Sequence, residues 1–145
     1  MKRDAGTVGL RRRLGALVYD AIAAFAVLYF AAFVPVLASG GALSPGNPLF
    51  TLYLLLVLFG YFGLSWTRGR TIGMQAWKIE IVRAGGGRPD WAAAARRFAA
   101  AALSLALGGL GYFVALGSRE RLTWPDRFSR TRLVRQDALN GRGNS

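Results

Sequence analysis

Three long apolar runs separated by charged segments dominate the chain. The first two predict helices over residues 14–37 and 49–66. The first helix would be about 36 Å long at ~1.5 Å per residue, enough to cross a bilayer with tilt. The second is apolar on all sides, as a lipid-exposed span should be. The third run, residues 98–117, is long enough to span but contains three glycines, Gly108, Gly109 and Gly111.

The charged segment 67–97 predicts a small folded unit outside the bilayer. Thr71 begins a short helix or turn, and alternating polar and apolar residues from Lys78 onward predict a strand. Asp90 is a suitable N-cap for the helix that follows it. A second short strand at residues 131–134 is expected to pair with the first.

These elements predict an all-α membrane protein. It would consist of a two-helix transmembrane hairpin, a third membrane-embedded segment that either spans or re-enters, and a small cytoplasmic strand pair. We expect residues 11–135 to form the membrane domain, with 118–135 as its basic closing segment. Residues 1–10 would be a flexible leader and residues 136–145 a disordered tail.

Positive charge is segregated along the chain. The net charge is +12, and the 19 Lys and Arg lie within residues 2–13, 68–97 and 119–142. Such blocks are typical of topology signals beside membrane helices, so we expect no nucleic-acid partner. The loop between the first two helices has no basic residue, which predicts a cytoplasmic N-terminus. A cytoplasmic C-terminus is favoured by the same rule, and it requires the third run to re-enter.

Cysteine and histidine are both missing from the sequence. Without them there is no disulfide, no thiol nucleophile and no Cys or His metal ligand. The usual general base near neutral pH is also lacking. We therefore expect a protein that is not an enzyme and that holds no cofactor or metal.

Asp20 is the single charged residue inside the first apolar run. A carboxylate there is costly in lipid and marks a functional or assembly site. Three interpretations stay open: a carrier of a proton or cation, a structural ion pair with Arg13 or Arg97, and an interfacial residue among headgroups. Arg13 lies two helical turns away, about 10 Å along the axis, and also serves as an anchor and topology signal. We favour the structural ion pair.

Asp126 follows Pro125 in a predicted turn. Aspartates in turns commonly accept backbone hydrogen bonds. We expect Asp126 to do so, or to pair with the neighbouring Arg127 or Arg130, rather than to take part in catalysis.

The motifs resemble those of the RDD family of small bacterial membrane proteins. That family is named for an arginine at the start of its first helix, an aspartate within the helix and a further aspartate. Residues 12–20 resemble the first motif, residues 69–74 the G-x-T-x-G-K segment, and residues 121–134 the closing L-x-D-x-x-x-x-T-x-V pattern. The resemblance implies that Arg13, Asp20 and Asp126 are the named residues. Thr71, Gly73 and Thr131 support them as motif residues, with Arg97 as a further candidate.

Two positions depart from the family pattern. Met74 replaces the usual lysine, and Pro125 stands where many members have histidine. A mechanism that relied on either side chain would not transfer to this chain.

The resemblance implies a multi-pass protein of the bacterial inner membrane. Transport of unidentified ligands, including sodium–proton exchange, has been suggested for such proteins. One expectation is therefore a small transporter or ion-exchange component that works as a homo-oligomer. The alternative is a membrane scaffold that binds a partner membrane protein or anionic lipid headgroups, for which a basic cytoplasmic face is suited.

Overall fold

Two long helices form a hairpin in the computed structural model, which describes residues 8–44, 46–117 and 122–141. Helix α1 spans Leu10–Ala38 and α2 spans Pro48–Thr67. The Asn47 side chain caps α2 by accepting hydrogen bonds from the first backbone N–H groups of the helix. By length and composition, the chain has two helices able to cross a membrane among the described residues. The two predicted apolar helices are thus present, each within about four residues of its expected ends.

A small cap lies at the end of the hairpin where α1 begins and α2 ends. It comprises α3 (Ile72–Ala76), β1 (Ile79–Arg83), α6 (Trp124–Ser129) and β2 (Thr131–Arg135), and we use the word cap for these four elements. The strands pair antiparallel, with Ile79 opposite Arg135 and Arg83 opposite Thr131. The predicted strand pair is confirmed.

The third apolar run forms two shorter helices instead of one continuous helix. Helix α4 spans Trp91–Ala106 and begins at the predicted N-cap, Asp90, whose side chain accepts a hydrogen bond from the N–H of Ala93. Helix α5 spans Leu110–Gly117. Between them Gly108 and Gly109 have φ of 73° and 83°, a left-handed conformation that glycine adopts without a steric penalty. The glycines therefore break the run.

The buried core lies beside the sheet, at the end of the hairpin where α1 begins and α2 ends. It contains Val8, Ala16, Trp66, Met74, Ile79, Ile81 and Ala94. Along the hairpin, by contrast, large apolar side chains such as Phe25 and Phe30 are each 71% exposed. Apolar surface of this extent needs an apolar environment, which a bilayer supplies.

The two ends of the domain are more ordered than the sequence predicted. Val8, placed in the flexible leader, is fully buried in the core. Residues 136–140, placed in the disordered tail, form helix α7 (Gln136–Asn140), whose first N–H donates to the carbonyl of Lys78. Both corrections arise because the flanking residues pack on the cap, which composition alone does not reveal. Residues 1–7 and 142–145 lie outside the described residues.

Candidate functional site

A buried carboxylate at the start of α6 is the centre of the first polar cluster. Thr123 caps α6 by accepting a hydrogen bond from the N–H of Asp126, and the Asp126 side chain accepts one from the N–H of Thr123. This reciprocal capping box fixes the carboxylate in place. Pro125 lies in the first turn, and Arg130 ends the helix with a left-handed φ of 53°. The local sequence therefore turns Asp126 inward, where it is 1% exposed.

Two guanidinium groups clamp this carboxylate. Arg13 Nη1 of α1 lies 2.9 Å from Asp126 Oδ2, and Arg97 Nη1 of α4 lies 2.6 Å from Asp126 Oδ1. Both arginines are more than nine-tenths buried. Charge-assisted hydrogen bonds of this length are among the strongest in proteins. The cluster therefore connects α1, α4 and α6, which are far apart in sequence.

Other side chains complete the surroundings of Arg97. Its Nη1 also donates to Thr131 Oγ1 at 3.0 Å, and Thr131 Oγ1 lies 2.6 Å from the hydroxyl of Ser129. The Arg97 guanidinium is 5.4 Å from the ring centroid of Trp66, a distance at which cation and ring attract. Thr131 thus links the clamp to strand β2, and Trp66 links it to α2.

The electrostatic balance favours an ionised carboxylate. Burial acts to raise the pKa of Asp126, but the positive charges of Arg97 and Arg13, and the hydrogen bonds they donate, overcome it and hold that pKa below its ordinary value. Asp126 therefore stays charged at neutral pH. Two cations face one anion, so the cluster keeps one net positive charge.

Asp20 belongs to a second cluster. Its Oδ2 accepts a hydrogen bond from the Thr71 hydroxyl at 2.6 Å, and its Oδ1 accepts one from the N–H of Gly73 at 2.8 Å. Thr71 is itself the N-cap of α3, because its Oγ1 accepts from the N–H of Met74. Asp20 therefore docks the first turn of α3 onto α1.

The close approach of these helices depends on Gly73. A Cβ at this position would overlap the carbonyl oxygen of Ala16 and lie 2.9 Å from Asp20 Cγ. Glycine is required for close approach of the two backbones. The prediction that Thr71 caps a helix is confirmed. Gly73, the motif glycine, allows α3 to pack closely on α1.

The prediction that Asp20 forms an ion pair with Arg13 or Arg97 is wrong. Arg13 and Arg97, the two candidates, both bind Asp126. The pairing of Asp126 with Arg127 or Arg130 is also wrong, although the backbone hydrogen bond it was expected to accept is present. Helical spacing places Arg13 and Asp20 on one face of α1, but two turns separate them. Helix α6 docks beside Arg13, and α3 docks beside Asp20.

Several residues of the two clusters were not selected from the sequence as site residues. Thr123 and Asp126 form a T-x-x-D pattern that signals a capping box, so Thr123 was detectable. Ser129 and Trp66 follow no motif. Met74, at the position of the family lysine, is buried in the core at 6% exposure, and Pro125 donates no side-chain hydrogen bond.

The side chains of the two clusters connect separate helices. Among the described residues there is no group of three His, Cys, Asp or Glu side chains able to hold a metal. Each carboxylate accepts hydrogen bonds that join separate helices. The clusters therefore hold the cap on the hairpin.

Two apolar spans, a cap outside them and charge clusters joining the two define a small helical membrane protein. The chain belongs to the RDD family, whose family model matches residues 7–130. No curated protein and no solved structure matches the chain. In this member, the arginine of the first motif pairs directly with the second aspartate, and the first aspartate binds the Thr71–Gly73 segment.

Proposed function

We propose that this protein is a non-enzymatic membrane scaffold whose basic cap binds anionic lipid headgroups of the cytoplasmic leaflet. The observation that carries the proposal is the charge of the cap surface. In the cap and in the residues that flank it, the exposed basic side chains include Arg68, Arg70, Lys78, Arg96, Arg130 and Arg132. The exposed carboxylates of the described residues, Asp90 and Asp137, each pair with an arginine.

The buried charges support a scaffold as well. A carboxylate that serves a transport cycle must exchange its partners, whereas Asp126 is held by two arginines and a backbone N–H. Breaking buried pairs of this kind is strongly unfavourable. A rigid cap carrying fixed surface charge suits recognition of a charged surface, where each Lys or Arg near the bilayer contributes about 1 kcal/mol.

A lipid analysis tests the proposal. After gentle extraction into polymer nanodiscs, we expect anionic phospholipid around the protein to be enriched about threefold over the bulk membrane. The excess should decline between 50 and 500 mM salt, because salt screens exposed charge. Nanodiscs of the same membrane without the protein are the control. Co-purified lipid with the bulk composition would contradict the proposal.

We further propose that both termini are cytoplasmic and that α4 and α5 re-enter. The antiparallel pairing of β1 with β2 supports this, because paired strands lie on one side of a bilayer. The break at Gly108 and Gly109 gives the run a place to reverse. A phosphatase reporter fused after Ser145 should be inactive, and a cytoplasmic fluorescent reporter there should be bright. The opposite pattern would mean that the third run crosses the membrane.

Transport is the second candidate function, and one observation favours it. Asp20 on α1 forms no ion pair with any described residue, and on α2, which packs on α1, the hydroxyl of Tyr61 is buried without a hydrogen-bond partner among those residues. A carboxylate without an ion-pair partner inside a membrane-crossing helix is where a carried cation would bind. Ion flux by reconstituted protein that Asp20→Asn abolishes, at unchanged membrane abundance, would favour transport over the scaffold.

A further inference from the structure

Three basic residues from distant parts of the chain lie on segments that adjoin one another near the start of α1. Arg12 Nη1 donates to the carbonyl of Trp77 at 3.3 Å, which places Arg12 beside Lys78. The carbonyl of Lys78 accepts from the N–H of Gln136 at 3.1 Å, and Ile79 pairs with Arg135. One side-chain hydrogen bond from Arg12 and the backbone contacts between β1 and the end of β2 thus place the segments of Arg12, Lys78 and Arg135 side by side.

The charge of this group is incompletely balanced. Arg135 Nη2 lies 3.2 Å from Asp137 Oδ2, while Arg12 and Lys78 have no carboxylate within 4 Å among the described residues. The Nε of Arg135 is buried and has no hydrogen-bond partner in the described chain. A buried donor without an acceptor is unfavourable, so an added anion would improve the site.

The backbone at Lys78 is held in an unusual conformation. Its φ is 53°, in the left-handed region that non-glycine residues rarely adopt. Its N–H donates to Gln75 and its carbonyl accepts from Gln136, so both neighbouring elements fix it. This conformation turns the chain between α3 and β1, and the Lys78 side chain is exposed there.

An apolar path continues from these cations along α1. The indole of Trp77 packs on Gly15, where a Cβ would overlap it. Arg12, Gly15 and Tyr19 share one helical face, and Val18 and Tyr19 are 58% and 51% exposed one turn further along the span. Cations, then an aromatic ring, then exposed apolar side chains follow the order of headgroup, interface and acyl chain.

We propose that Arg12, Lys78 and Arg135, with Trp77 beneath them, form a binding site for one anionic phospholipid. The phosphodiester binds the three cations, and an acyl chain lies along Trp77, Val18 and Tyr19. The apolar path favours a lipid over free phosphate. This site rests on the proposed function and gives it a defined location and a stoichiometry of one.

Native mass spectrometry of the full chain in detergent tests the site. The probes are phosphatidylglycerol and phosphatidylcholine with identical acyl chains. We expect the double variant R12Q/K78Q to bind phosphatidylglycerol about 25-fold more weakly, at roughly fivefold for each lost cation. The matched control R88Q/R127Q removes two exposed charges outside the site and should lose threefold or less. Phosphatidylcholine binding should change little in either variant.

Two further measurements keep the outcome unambiguous. K78Q alone removes a side chain without a hydrogen bond in the described structure and should lose about fivefold, and R12K/K78R should bind as the parent does. Equal losses in the two double variants would overturn the site but leave the proposed function standing. A parent protein that does not prefer phosphatidylglycerol would overturn both. Glycerol phosphate binding as tightly as the lipid would overturn the assignment to a phospholipid.

Discussion

Replacing Asp126 with asparagine is expected to lower the free energy of unfolding of the domain by about 3–5 kcal/mol. Asparagine keeps the shape and the capping hydrogen bonds but removes the charge that Arg13 and Arg97 share. Both guanidinium groups are then buried as cations without an anion. Denaturant unfolding in detergent, followed by tryptophan fluorescence, to which Trp66 beside Arg97 contributes, measures the loss.

The matched control is Asp90→Asn. Asp90 forms a solvent-exposed ion pair with Arg83, 3.4 Å apart, and it also caps α4. Asparagine caps helices as well as aspartate does, and exposed ion pairs contribute little, so the expected loss is about 0.5 kcal/mol or less. Equal effects of the two substitutions would contradict a structural role for the clamp.

A double variant separates charge from shape. Adding Arg13→Met to Asp126→Asn removes one of the two uncompensated cations. We expect the double variant to be more stable than the sum of the single losses predicts, by about 1–3 kcal/mol. Strict additivity would mean that Arg13 does not interact with Asp126 in solution.

The elements of the fold were predictable because they follow from local patterns. Apolar runs of about the length of a bilayer span predicted both helices, and the strand patterns at residues 79–83 and 131–134 predicted a pair on one side of the membrane. The structure pairs these segments. The glycines at 108 and 109 likewise signalled the break between α4 and α5. The helices and the break need only neighbouring residues and the length of a bilayer, whereas the strand pair was predicted from two separate strand patterns in the charged segments.

The partners of the buried charges were not predictable in the same way. Arg13 and Asp126 are 113 positions apart, and their pairing depends on how α6 docks on α1. Sequence spacing pointed to Asp20 because it lies on the same helix as Arg13. Local sequence patterns do not reveal which loop packs beside which turn, although a capping pattern such as Thr123 to Asp126 indicates how one side chain is oriented.

Substituting Gly73 with alanine is expected to lower the free energy of unfolding by about 3 kcal/mol. The new Cβ would overlap the carbonyl oxygen of Ala16, which belongs to the backbone of α1 and cannot rotate away. Helix propensity alone would give the opposite sign, because alanine is better than glycine in a helix by about 1 kcal/mol. A measured loss therefore reports the contact between α1 and α3, and unfolding in detergent measures it.

The control for Gly73→Ala is Gly85→Ala, where a Cβ meets nothing within 4 Å. This change should be neutral or slightly stabilising, since it restricts only the unfolded chain. The role of Asp20 can be read from the combination with Asp20→Asn. If alanine at 73 separates α3 from α1, it also removes the hydrogen bond from the Gly73 N–H to Asp20, so the second substitution should add less than it does alone. Full additivity would show that Asp20 stabilises the fold independently of the α3 contact, and a stabilising Gly73→Ala would contradict the close packing of the two helices.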